Sequence, residues 1–148
     1  MKVIIDHIRC PLHRYPFSVR PIRQWVEEHC EGSVLNLFVG ITRLNVDELR
    51  NDADKEADAD YYMDALAFLE NWEGKPFDTI LLAPPYAYRK SMKDAIIKHL
   101  KPAGKVITFG YHTVVMGQSR GFEVEKIGVF SHGGAIHDTI ASVERYQF

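Results

Sequence analysis

Ser33-Val34-Leu35-Asn36-Leu37-Phe38-Val39-Gly40-Ile41-Thr42-Arg43 decides the reading of this chain. Five apolar residues occupy the six positions from Val34 to Val39, followed by a glycine and a polar turn. That pattern predicts a strand buried on both faces that ends in a tight loop. In an open α/β sheet a ligand sits just beyond the carboxyl end of such a strand. Gly40 is the expected point of close approach, because a residue without Cβ accepts both the unusual dihedrals and the contact.

Outward from this strand, Ile22, Trp25, Val26 and His29 recur at helical spacing behind Pro21, which is tolerated in a first turn. The stretch from Asp6 to Ser18 carries two prolines, two basic residues and two histidines, and reads as an extended arm within residues 1–18. After Gly40, the segment to Asn45 is too short for a crossover helix, although Val46 to Arg50 is again extended. A charged loop (51–60), a short Tyr61-Tyr62-Met63 edge strand and a helix over Ala65 to Trp72 follow. Phe77 to Ala83 is the second strongly apolar run, stopped by Pro84-Pro85-Tyr86, where two prolines remove two donors and fix the path. Ser91 to Lys101 reads as an amphipathic helix, Lys105 to Phe109 as a strand, and Phe122–Phe130 with Ala135–Tyr146 as a hairpin joined at Gly133-Gly134. The fold class is α/β, with a mostly parallel sheet and an antiparallel end.

Composition bounds the function. At 148 residues and 46% hydrophobic, residues 1–148 make one domain with a sizeable core. Cys10 and Cys30 form neither a metal cluster nor a disulfide framework, so no metal is expected; no apolar run reaches membrane-spanning length. Charge interrupts the amino terminus too early for a signal peptide, and the expected compartment is the cytoplasm. A net charge of −2 argues against a free-standing tight nucleic-acid binder. The charge is uneven, however: ten of the 20 acidic residues lie between Asp47 and Glu73, whereas Arg89, Lys90, Lys93, Lys98, Lys101 and Lys105 face the single acid Asp94. A basic flank is therefore expected.

The order of these features resembles the Rossmann-like S-adenosylmethionine-dependent methyltransferase sheet, trimmed between its first and second strands. Pro-Pro-Tyr after the fourth apolar strand narrows the resemblance to amino-methyltransferases, especially those modifying adenine in DNA and their relatives acting on RNA. Arg14-Tyr15-Pro16-Phe17-Ser18 also resembles the segment that closes over the cofactor's methionine end. The resemblance implies S-adenosylmethionine as cofactor, bordered by Phe17, Phe38, Gly40, Thr42 and Ala83. It implies Asp52, or failing it Asp54, as acceptor for the ribose hydroxyls. Asp64 would meet the adenine amino group and Ala65 a ring nitrogen. Pro84, Pro85 and Tyr86 would form the catalytic turn, with a proline carbonyl polarising an exocyclic amine and the ring stacking on its base.

Two departures stand out. Thr42 replaces a second glycine, and Ala83 stands where the resembled enzymes place an Asp or Asn acceptor. The implied function is methylation of a nucleobase amino group in DNA or RNA; the alternative is a non-catalytic methyltransferase-like binding module in an assembly. No insertion resembles a target-recognition domain, so a protein partner supplying recognition is expected beside the nucleic-acid or nucleobase substrate, and no membrane. Ser131-His132-Gly133-Gly134-Ala135-Ile136-His137-Asp138 reads as a hairpin tip rather than a metal site, and the two thiols as inert.

Overall fold

The computed structural model describes residues 2–83 and 89–148. A seven-stranded sheet runs through the molecule: β1 (Ile4–Arg9), β2 (Val34–Asn36), β3 (Glu48–Arg50), β4 (Phe77–Leu82), β5 (Leu100–Gly110), β6 (Phe122–Ser131) and β7 (Thr139–Tyr146). Their spatial order is β1-β6-β7-β5-β4-β2-β3. Only β7 runs antiparallel to its neighbours β5 and β6; the other pairs are parallel. Among the described residues three α-helices cover the faces: α1 (Arg20–His29), α2 (Ala65–Asn71) and α3 (Lys90–Ile97).

Period-two alternation distributes the apolar strand residues between two cores. Val34, Leu81 and Ile107 pack with Ile22, Trp25 and Val26 of α1. Leu35, Ile80 and Val106 pack with Phe68 and Leu69 of α2 and with Ile96 of α3. Leu35 is in register with Ile80, and Ile80 with Val106, so β2, β4 and β5 are stitched at their centres. Burial on both faces is why the apolar runs of β2 and β4 are nearly continuous.

β1 corrects the expectation of an arm. Ile4 to Arg9 pairs in parallel with Lys126 to Ser131, while Trp25 Nε1 donates to Asp6 Oδ2 at 3.0 Å and Lys126 reaches the same oxygen at 3.2 Å. α3 ends at Ile97, and β5 starts at Leu100, earlier than the apolar pattern predicts. Ala103, at φ 57°, marks the irregularity near the start of this strand. The expected basic flank is partly neutralised: Lys90 pairs with Asp94, Lys101 with Asp78, and the buried Lys105 with Glu31.

β2 and β3 are parallel neighbours joined without a helix, as the short connection requires. A buried pair stands in for the missing element. Glu48 accepts from Asn36 Nδ2 at 3.0 Å, from the Leu44 N–H at 2.7 Å and from Arg50 Nη1 at 3.0 Å. Arg50, fully buried, also donates to the carbonyls of Asp58 (2.8 Å) and Thr42 (3.0 Å). One guanidinium thus ties together the loops that follow β2 and β3. Beyond β5, the buried Glu144 accepts from the N–H groups of Val115, Met116 and Gly117 at 2.8, 3.0 and 2.9 Å. Among the described residues, no helix is long and apolar enough to cross a membrane.

Candidate functional site

The chain leaves β2 through Leu37, whose N–H donates to the Leu81 carbonyl, and turns at Gly40 with φ +60°. That dihedral disfavours every L side chain. A Cβ there would also sit 3.0 Å from Tyr15 Cδ1, so the turn and the segment preceding α1 are in close contact and a methyl group would fit only if the Tyr15 ring gave way. The Gly40 N–H donates to Asp52 Oδ2 at 2.9 Å, its carbonyl accepts from the Asp58 N–H at 3.0 Å, and Asp52 Oδ1 accepts from the Asp54 N–H at 2.9 Å. Ser18 and Thr42 share a hydroxyl hydrogen bond of 2.8 Å, which closes the other side.

These contacts enclose a cavity of about 280 Å³ at the carboxyl ends of β2 and β4. Phe17, Phe38, Gly40, Thr42, Asp52, Asp54 and Ala83 all line it. Phe17 is held by edge-on packing against Phe109 at 5.3 Å. Arg14 and Tyr15 complete the wall, with the guanidinium 5.3 Å from the Tyr15 ring centre. The described lining therefore carries two carboxylates and one cation.

Asp64 and Ala65 do not line this cavity. Asp64 is the N-cap of α2, where its Oδ2 accepts from the Ala67 N–H at 3.3 Å, and Ala65 is buried against the α2 core. An acid between a strand and a helix is a natural cap, and that need engages Asp64 here. The expected catalytic residues Pro84, Pro85 and Tyr86 lie outside the described residues.

Sequence reading missed Asn51 and Arg50. Asn51 is fully buried; its Nδ2 donates to the carbonyls of Met63 (3.0 Å) and Leu37 (3.4 Å), and its Oδ1 accepts from the Met63 N–H. It thereby fixes the Met63-Asp64 turn beside the end of β2. Asn51 falls in the charged loop (51–60) and reads as solvated, while Arg50 ends an extended stretch; an Arg two residues after Glu48, hence on one face of a strand, was the available signal. Among the described residues, no group of three or more His, Cys, Asp or Glu side chains is placed to hold a metal ion.

A second cavity, of about 210 Å³, shares Pro16 and Ala83 with the first and extends past Phe109 and Tyr111 to His132 and Thr139. A separate groove is bordered by Arg20, Arg23, Glu27 and Arg43. Arg43 is bidentate to Asp58 at 2.7 and 2.9 Å, and Arg23 donates to the Phe17 carbonyl at 3.1 Å.

No protein-family model and no curated protein sequence matches the chain. Its fold is similar to that of solved methyltransferases. N-methyltransferase NodS from Bradyrhizobium japonicum WM9 aligns with TM-score 0.65 and 14% identity over 93% of this chain and 100% of that one. NodS in complex with S-adenosyl-l-homocysteine gives 0.61 and 14% over 93% and 91%. TrmN from Thermus thermophilus gives 0.63 and 15% over 90% of this chain and 52% of that one. A Clostridium thermocellum protein described as an rRNA-methylase gives 0.53 and 8% over 90% and 99%. The mostly parallel sheet, its antiparallel end and the cavity at the carboxyl ends of its central strands make this the Rossmann-like methyltransferase fold.

Proposed function

We propose that this chain is an S-adenosylmethionine-dependent methyltransferase acting on an amino group of a nucleobase in RNA or DNA. The observation that carries the reading is the cavity beyond Gly40, whose walls match the cofactor in charge and chemistry. Its two acids and one base leave a net negative lining, which suits a ligand with one carboxylate, one ammonium and one sulfonium. Asp52 accepts two backbone hydrogen bonds, and an ionised carboxylate has about four acceptor sites, so capacity remains for a ribose diol. Arg14 is the counter-charge for the ligand's carboxylate, and Phe17 and Phe38 supply apolar walls.

The cofactor, when bound, supplies an electrophilic methyl group. The chain's part is to hold it behind Tyr15 and Gly40 and to present an amine from the Ala83 side, where the two cavities meet. Tyr86 is assigned the role of stacking the target base, worth about 1–3 kcal/mol. The groove with Arg20, Arg23 and Arg43 carries three guanidinium groups against the one carboxylate of Glu27 and suits a phosphate backbone, a local attraction on a chain of net charge −2. The Clostridium thermocellum neighbour described as an rRNA-methylase supports RNA as the acceptor class. A protein partner would supply target recognition.

The test is transfer of labelled methyl from S-adenosylmethionine to a panel of structured RNA, single-stranded DNA and free nucleosides. The reading expects transfer to a base amine, lost in Tyr86→Ala with cofactor affinity retained. No transfer to any member of the panel by a cofactor-bound protein would overturn it.

A further inference from the structure

Ala83 offers no acceptor for the proton an amine must lose when it gains a methyl group, so another group has to take that proton. The cavity across Ala83 holds one. His132 Nδ1 lies 3.1 Å from the Cys10 carbonyl oxygen, and a carbonyl can only accept, so Nδ1 carries the hydrogen. With the hydrogen on Nδ1, Nε2 is the ring nitrogen free to accept from the Thr139 hydroxyl, 2.7 Å away. Both side chains line the cavity. We infer that this cavity is the subsite for the acceptor amine and that the Thr139–His132 pair receives its proton, where the side chain of Ala83 offers the amine no hydrogen-bond acceptor.

The inference rests on the methyltransferase reading and adds to it a substrate class and a proton path. The described lining contains no carboxylate, ammonium or guanidinium; Leu12, Phe109 and Tyr111 are apolar or aromatic and His13, His132 and Thr139 are hydrogen-bonding. Such a wall suits an uncharged planar ring bearing an exocyclic amine, and does not suit a phosphate. Cys10 Sγ is 4.0 Å from His132 Nδ1, but that nitrogen is the protonated one, and burial pushes the thiol's pKa up. The sulfur is therefore not activated, and the oxygen of Thr139 is the group the histidine prepares.

In the step, the amine lone pair forms the new N–C bond as the C–S bond breaks, with its electron pair passing to sulfur. The amine proton goes to Thr139 Oγ1, whose own proton moves to His132 Nε2. The resulting imidazolium keeps its Nδ1–H on the Cys10 carbonyl and returns the extra proton to water. No oxidant or further reactant is needed.

Two measurements test this. Nitrogen-15-labelled histidine is observed by NMR while adenosine or cytidine is added at millimolar concentration, without cofactor. The expected result is a shift of the His132 ring nitrogens; saturable nucleoside binding that leaves His132 unmoved, or no binding, overturns the subsite. Methyl transfer is then compared for wild type, Thr139→Val and Thr139→Ser. The valine variant should lose about 100-fold or more in kcat with an unchanged KM for the cofactor, and serine should restore most of it. Wild-type turnover in Thr139→Val overturns the proton path. Calorimetry with S-adenosylmethionine separates the two levels: failure of wild type to bind defeats the underlying reading, whereas cofactor binding with an unaffected valine variant defeats only the inference.

Discussion

Replacing Gly40 tests the site at its narrowest point. The residue holds φ +60°, and a left-handed conformation costs an L-residue about 1–2 kcal/mol. Its new Cβ would stand 3.0 Å from Tyr15 Cδ1, so the ring must give by a few tenths of an ångström. Gly40→Ala should therefore lose about 1–2 kcal/mol, a fall of about 2–8 °C in Tm for a chain of 148 residues. Gly40→Val adds branching that this backbone tolerates poorly, and it pushes Tyr15 off the cavity wall. Circular dichroism melting and calorimetry with S-adenosylmethionine, run on both variants, give the assay. The order of affinity should be wild type, alanine, valine, with native circular dichroism kept at low temperature. A valine variant with wild-type Tm and affinity would refute the argument that Gly40 is held at a close contact bordering the ligand.

Three further outcomes follow from groups remote from that contact. Glu144→Ala removes the acceptor of three N–H groups, each worth about 1–3 kcal/mol when left desolvated, so denaturant unfolding should show a loss of about 3 kcal/mol or more. Arg145 and Lys105 hold the Glu31 carboxyl down at about 2 from its ordinary 4.5; the associated stability is present above the higher value and lost as pH falls towards the lower, so Glu31→Gln should flatten the acid limb between them. Burial pushes the Cys30 thiol up to about 12, so alkylation at pH near 8 should be slow in the native protein and fast after unfolding.

What the sequence made legible was what backbone chemistry and continuous burial write into it. The apolar run before Gly40, the second run ending at Ala83 and the diglycine between Phe130 and Thr139 each gave their element, and the few residues after Gly40 showed that a crossover helix could not fit. β1 was hidden because an edge strand needs only one partner: Ile4 and Ile5 stay 54% and 64% exposed, and Asp6 and His7 interrupt the pattern. Arg50, Asn51 and Glu144 were hidden for a different reason. Each is a polar residue buried by contacts with backbone atoms of distant loops, and such contacts leave no local period. At the site, seven of the nine expected cofactor-side residues line one cavity, while Asp64 and Ala65 do not. The same residue type serves a ligand acceptor and a helix cap, and sequence alone does not choose between them.

The central claim is that the cavity walled by Gly40, Asp52 and Tyr15 holds the methyl donor. Calorimetric titration of wild type and Asp52→Ala with S-adenosyl-l-homocysteine tests it most directly. The account predicts one site per chain in wild type and an affinity lower by at least 10-fold in the variant, since hydrogen bonds to a charged group contribute about 1.5–3 kcal/mol each. No heat at high ligand concentration, or equal affinity in both proteins, would contradict it.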